Sequence, residues 1–209
     1  MKLVKRVLFE IFRWPIITIW KLAGWSVSQE HIDQDRLIIT GAPHTTNWDY
    51  LMFLLAILYL RRQPYVTAKH TLFVPPIGFF IRLFGGIPID RTKPHNLVQQ
   101  MSDLLKSREQ VWIVFSPDGT RSYKPHWKSG FYWTAMETDL PILCAAINWQ
   151  KKTITVDYMF KPTGDIEADM VKIREYQEQY GRGLYPEKAN PVVLRPREPQ
   201  EEASAEAAG

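Results

Sequence analysis

Residues 36–50 read Arg36-Leu37-Ile38-Ile39-Thr40-Gly41-Ala42-Pro43-His44-Thr45-Thr46-Asn47-Trp48-Asp49-Tyr50. Arg36 to Thr40 is a short apolar strand, and Gly41-Ala42-Pro43 is a turn. Asn47 or Thr46 can cap a helix running to about Arg62, which contains the ten-residue apolar run Leu51–Leu60. A helix that apolar is buried, or half buried and half facing lipid. A strand that feeds a helix through a tight turn is the unit of an α/β fold, and such turns are where that class places reacting groups. In a continuous helix, residues five apart do not share a face. With His44 on the turn and Asp49 in the first helical turn, the two side chains can meet. Asp49 then accepts from one ring nitrogen and fixes the tautomer, and the other nitrogen is free to take a proton from a substrate hydroxyl. An unperturbed imidazole, with a pKa of about 6.5, is mostly ready for that at neutral pH. By itself the spacing also fits a structural or capping histidine.

The rest of the chain repeats the strand–helix alternation. Pro64 to Ala68 reads as a second strand with Lys69 just past its end. Pro75-Pro76 opens a helix carrying Phe79, Phe80, Leu83 and Phe84, and Gly85-Gly86 stops it. Ile87 to Asp90 is a brief strand. Pro94 suits the first turn of a helix with Leu97, Val98, Met101, Leu104 and Leu105 on one face. Val111 to Phe115 is a continuous apolar run, as expected of a central strand covered on both faces. A helix from about Ser129 to Glu137 and a buried strand from Pro141 to Ile147 follow. Thr153 to Phe160 alternates, predicting a strand with one wet face near a sheet edge. Asp165 caps a last helix to about Tyr180. The expectation is one α/β domain, its mixed, mostly parallel sheet flanked by helices.

The first 30 residues and the last twelve differ from this body. Residues 1–25 carry five bases and one acid, apolar residues at helical spacing, and Trp14, Trp20 and Trp25. Pro15 is expected to end or kink the first helix, leaving a pair of amphipathic pieces closed by Gly24. Basic residues and indoles on helices too polar to span a bilayer fit a position in the membrane interface, and equally a helix packed on the domain's own core. Glu10, Arg13 and Pro15 interrupt the apolar stretch, so a cleaved leader is not expected. Residues 198–209 hold four acids and no base. Without them the formal charge of +4 becomes +8, with 26 bases against 18 acids. A basic body points to an anionic partner, and eight Trp and ten Phe favour phospholipid over nucleic acid. The expected organisation is interfacial helices over 1–30, the main domain over 31–197 and a disordered acidic tail over 198–209.

Several chemistries are excluded. Cys144, the one cysteine, lies inside an apolar strand, where a thiolate is costly. It also fits a reducing compartment. Ser116 and Ser122 lack a Gly-x-Ser-x-Gly elbow. His31, His44, His70, His95 and His126 are scattered, with no metal-binding spacing. Gly85-Gly86 lacks the Lys-Ser/Thr of a phosphate loop. What remains is a set of cations at strand ends: Lys69, Arg91 after Asp90, and Arg121 after Asp118-Gly119-Thr120. Gly119 lets the backbone turn sharply beside a ligand, and Arg suits bidentate capture of a phosphate. Any one of these reads as an ordinary surface charge. Two arginines at strand ends of the same sheet as the His turn point to an anionic ligand.

His44-x4-Asp49, Gly86-Ile87-Pro88-Ile89-Asp90-Arg91, Asp118-Gly119-Thr120-Arg121-Ser122 and the strand opening at Pro141 occur in the order and approximate spacing of the four motif blocks of the glycerolipid acyltransferase superfamily. The chain resembles that superfamily over about residues 36–150, and the N-terminal segment resembles the interfacial helix pair of some bacterial members. The resemblance implies a 1-acylglycerol-3-phosphate O-acyltransferase-like enzyme of phospholipid biosynthesis or remodelling. His44 would deprotonate the hydroxyl of a lysolipid, which attacks the thioester of acyl-CoA or acyl-carrier protein, and Asp49 would orient the imidazole. Arg91 and Arg121 would hold the acceptor's phosphate and Asp118 its glycerol, with Gly119, Thr120 and Lys69 completing the substrate-binding set. The helix after His44 and the Phe79–Phe84 helix would line the acyl path. No metal, cofactor or covalent intermediate is implied. The expected location is peripheral, on the cytoplasmic face of a membrane. Two features depart from the family pattern: Asp118 stands where Glu is usual, and Leu140-Pro141-Ile142-Leu143-Cys144 carries fewer prolines than the usual fourth block. An acceptor other than 1-acylglycerol-3-phosphate, such as a lyso-amino-acid lipid, and a non-catalytic lipid-binding module are the competing readings. A nucleic-acid binder would need a basic helix or stacking aromatics on a sheet face, which the sequence does not offer.

Overall fold

The strand bearing the His44 turn occupies the middle of a seven-stranded sheet. The computed structural model describes residues 2–29, 32–62, 64–83, 85–89 and 95–194. In chain order they form α1 (Lys2–Leu22), β1 (Ser26–Gln29), β2 (Arg36–Ala42), α2 (Asn47–Tyr59), β3 (Pro64–Lys69), α3 (Ile77–Leu83), β4 (Gly86–Ile89), α4 (His95–Lys106), β5 (Val111–Phe115), α5 (Gly130–Thr138), β6 (Ile142–Asn148), β7 (Thr153–Phe160) and α6 (Ile166–Tyr180). The strand order is β1-β7-β6-β2-β5-β3-β4. β2 pairs in parallel with β5 and β6, and β3 pairs in parallel with β4 and β5. Among the described residues only the β6–β7 pairing is antiparallel; β1 then runs parallel to β7. Five strands therefore deliver their carboxyl ends to one edge, where ligands of open α/β sheets bind.

Each face of the sheet has its own core. Leu37, Ile39, Leu143, Ala145 and Ile147 point to the side covered by α1 and α2 through Ile17, Trp20, Met52, Phe53, Ala56 and Ile57. Ile38, Ala42, Ile113, Ile142, Cys144 and Ala146 point the other way, to Met101 and Leu105 of α4, Phe131, Tyr132 and Ala135 of α5, and Met170, Ile173 and Tyr176 of α6. This is the period-two division of buried parallel strands.

Three expectations are corrected. Pro15 neither ends α1 nor divides it: one 21-residue helix runs from Lys2 to Leu22 with Pro15 inside. An interior proline costs about 3 kcal/mol of helix stability. Here the turns on both sides are anchored, with Arg13, Ile17 and Trp20 buried and Thr18 Oγ1 donating to the Trp14 carbonyl at 2.8 Å. Ser26–Gln29, placed with the N-terminal segment by the sequence, is instead an edge strand of the sheet. β7 is consequently second from the edge. Thr155, expected on a wet face, is buried, and its carbonyl accepts from the Tyr176 hydroxyl at 2.9 Å. The acidic tail lies outside the described residues.

After α6 the chain returns along the sheet's carboxyl edge as a strap. Arg182 N–H donates to Ile147 O (2.8 Å), Trp149 N–H to Arg182 O (2.9 Å), and Trp127 N–H to Val193 O (2.7 Å). The strap passes directly beneath the His44 turn.

Candidate active site

Thr46 caps α2 in extended backbone geometry, and Asp49 closes a capping box with it. This leaves His44 two residues ahead of the cap, so the two side chains of the pair can meet. His44 Nδ1 lies 3.5 Å from Asp49 Oδ2. Asp49 is fully buried. Its Oδ2 accepts from the N–H groups of Thr45 (2.6 Å) and Thr46 (2.7 Å), and its Oδ1 from the Trp149 indole N–H (2.6 Å). A carboxylate with three N–H donors is fixed in place. The His44 side chain stays partly open, 19% exposed, above it.

Asp118 stands at the neighbouring strand end, just past β5. Its Oδ2 accepts from the His44 backbone N–H at 2.7 Å. It is 3% exposed. Burial pushes its carboxyl up to about 6, against the lowering influence of the His44 N–H and ring charge and of the nearby Trp127 and Asn190 side chains. Those two side chains favour the charged form, yet neither reaches it with hydrogen-bond geometry. Asp118 Oδ1, Trp127 Nε1 and Asn190 Nδ2 are all buried with no hydrogen-bond partner among the described residues.

Beyond Asp118 the loop turns outward. Gly119, at φ +65, supplies a left-handed residue beside the Lys128 side chain. Thr120 is half-buried and its hydroxyl accepts from the Ser122 N–H at 3.3 Å. Arg121 is exposed, and its guanidinium donates to Asn47 Oδ1 in the first turn of α2, which brings it to the His44 turn. A hole of about 40 Å³ opens beside His44 between α2 and the sheet, lined by Gly41, Tyr50, Phe53, Leu54, Val114 and Ser116 as well.

The structure thus brings together His44, Asp49, Asp118, Gly119, Thr120 and Arg121. Lys69 is the last residue of β3, at the same sheet edge. Arg91 lies outside the described residues, one residue past Asp90. Cys144 is buried in β6, and burial pushes its thiol far up, so it stays an inert core group. No group of His, Cys, Asp and Glu able to hold a metal occurs among the described residues. Sequence reasoning missed Trp149 and the strap. Trp149 follows the carboxyl end of β6, so the strand-end rule that singled out Arg121 could have found it. Asn190 carries no such signal.

A His–Asp pair and a cationic loop thus stand at adjoining strand ends of a parallel-centred α/β sheet. A family model described as Acyltransferase matches residues 26–148, more than half the chain, and the chain belongs to that family. It is 31% identical over 111 residues to 1-acyl-sn-glycerol-3-phosphate acyltransferase of Streptococcus pneumoniae (51% of this chain, 41% of that protein). It is 25% identical over 135 residues to the protein of the same name from Saccharomyces cerevisiae (54% and 44%). The chain spans less than half the length of these relatives. The crystal structure of the 1-acyl-sn-glycerophosphate (LPA) acyltransferase PlsC from Thermotoga maritima superposes with a TM-score of 0.53 at 18% identity, covering 83% of this chain and 77% of that one, and so shares the fold.

Proposed function

We propose that the protein is a membrane-associated O-acyltransferase that moves an acyl chain from acyl-CoA or acyl-carrier protein to the hydroxyl of a lysophospholipid such as 1-acylglycerol-3-phosphate. The observation that carries this reading is the His44 imidazole, turned by one nitrogen to a buried, triply bonded carboxylate while it lines an apolar hole. Nε2 takes the acceptor's hydroxyl proton as that oxygen attacks the thioester carbon. The C–O bond forms, the C–S bond breaks, and the proton passes from Nε2 to the departing thiolate. Arg121 holds the acceptor's phosphate within reach of the turn, helped by Gly119 and Thr120, which open the loop, by Lys69 and by Arg91. The hole between α2, β2 and β5 receives the start of the acyl chain; Tyr50, Phe53, Leu54 and Val114 supply its walls.

Membrane attachment rests on α1. Ile11, Trp14, Ile19 and Leu22 share one exposed face, from 58% to 82% open to solvent. No helix among the described residues is long and apolar enough to cross a membrane.

The test is thiol release from acyl-CoA or acyl-carrier protein with 1-acylglycerol-3-phosphate present. His44→Ala is expected to lower turnover by about 10²–10⁴-fold, the usual worth of a general base, with an unchanged circular dichroism spectrum. Undiminished turnover would overturn the assignment. Vesicle binding without thiol release from either donor, in the parent protein, would make it a lipid-binding module instead.

A further inference from the structure

We propose that Asp118 is a positioning residue for the His44 turn and does not hold the acceptor's glycerol; the proposal rests on the reading of His44 as the base. Three consecutive backbone N–H groups of the turn are claimed by two carboxylates. The N–H of His44 goes to Asp118, and those of Thr45 and Thr46 go to Asp49. Pro43, just before them, has no N–H to give. Asp49 sets where the ring points. Asp118, from the adjacent strand end, sets where the Cα of His44 sits. A 2.7 Å bond from a backbone N–H to a carboxylate is of the charge-assisted kind, short and directional.

The surroundings of Asp118 suit anchoring and not ligand capture. It is 3% exposed, whereas Arg121, three residues on, is exposed. A glycerol hydroxyl has no surface on which to meet it. What does face it is a basin of donors from two other segments: the buried indole N–H of Trp127 and the carboxamide of Asn190. Asn190 is itself oriented, because its Oδ1 accepts from the Lys124 N–H at 2.6 Å. Trp127 is tied to the strap through its own backbone N–H. Asp118 therefore ties the base to the loop after β5, and the loop divides the labour: residue 118 points inward to the turn, residue 121 outward to the substrate.

Steady-state kinetics of Asp118→Ala, Asp118→Asn, Arg121→Ala and His44→Ala, with acyl-CoA and 1-acylglycerol-3-phosphate, separate the roles. Asp118→Ala is expected to lower kcat by about 10²-fold through misplacement of the base, with the acceptor KM held within about twofold. Asp118→Asn, whose amide oxygen still accepts from the His44 N–H, should recover kcat to within about tenfold of the parent. Arg121→Ala should raise the acceptor KM instead. An acceptor KM raised by Asp118→Ala with kcat unchanged, or no change in either, overturns the proposal. If His44→Ala turns over like the parent, the base reading itself fails, independently of Asp118. Should Asp118→Ala not fold, NMR of the parent decides. Glycerol 3-phosphate is expected to shift the Arg121 side-chain N–H resonance and leave the Asp118 carboxyl carbon unmoved; a shift of that carbon overturns the proposal.

Discussion

At the residue scale, the site depends on two carboxylates held by unequal sets of donors. Asp49 has three N–H partners, and one of them, the Trp149 indole, comes from a hundred residues away in the chain. Trp149→Phe removes that donor together with the pyrrole part of the indole, leaving a buried carboxylate oxygen unpaired. It is expected to cost about 1–3 kcal/mol of stability, read from the urea midpoint. kcat should fall by about tenfold or more as Asp49 loosens under the imidazole. Asp118 behaves differently because burial raises its pKa from 3.8 to about 6. Between those two values the folded state keeps a proton that the unfolded chain has released. Stability from this group is therefore full below about pH 4 and is lost as pH rises to about 6, a change of about 3 kcal/mol. Asp118→Asn removes the effect. The parent's stability relative to that variant is expected to fall between pH 4 and 7, as followed by thermal or urea unfolding. A flat or rising difference would contradict it.

At the scale of elements, the turn is squeezed between α2 above and the strap below. A Cβ built on Gly183 would lie 2.7 Å from the Thr45 side chain, which is itself buried. Tyr185 N–H reaches the Thr45 hydroxyl at 3.4 Å. Gly183→Ala should therefore displace the turn, costing about 1–3 kcal/mol from overpacking and about tenfold or more in kcat. Much of this architecture is legible in the sequence where local chemistry decides it. Val111–Phe115 is bounded as its apolar run is, and the Thr46/Asp49 capping box starts α2 where the sequence places it. The rest depends on partners distant in the chain. Ser26–Gln29 has one apolar residue and becomes a strand only because β7 offers an unpaired edge. Pro15 is tolerated because Arg13 and Ile17, two residues to either side, are buried. The motif carrying Asp118 is visible in sequence, but its direction is not: only the fold shows the carboxylate turned inward to a backbone N–H.

At the scale of the whole molecule, the sheet separates two tasks. One face packs α4, α5 and α6 into a closed core; the other packs α2 and then α1, whose outer surface is left apolar. Replacing Trp14, Ile19 and Leu22 together by Glu alters only exposed positions, so circular dichroism and the thermal midpoint should hold. Binding to anionic phospholipid vesicles is expected to weaken by about 10²-fold or more in a sedimentation assay, given roughly 1.5–3 kcal/mol for each large apolar side chain buried. Retained binding would place the lipid contact elsewhere. The same docking of α1 sets three indoles in a row. Trp20 stacks on Trp25 with ring centroids 6.0 Å apart, and Trp25 meets Trp149 edge-on at 5.0 Å. Trp20 also donates its N–H to Met52 Sδ at 3.3 Å. Rings this close couple their electronic transitions, so the chain carries its own chromophore between α1 and the Asp49 carboxylate. Its near-ultraviolet dichroism and tryptophan emission give a label-free optical record of how α1 sits on the domain.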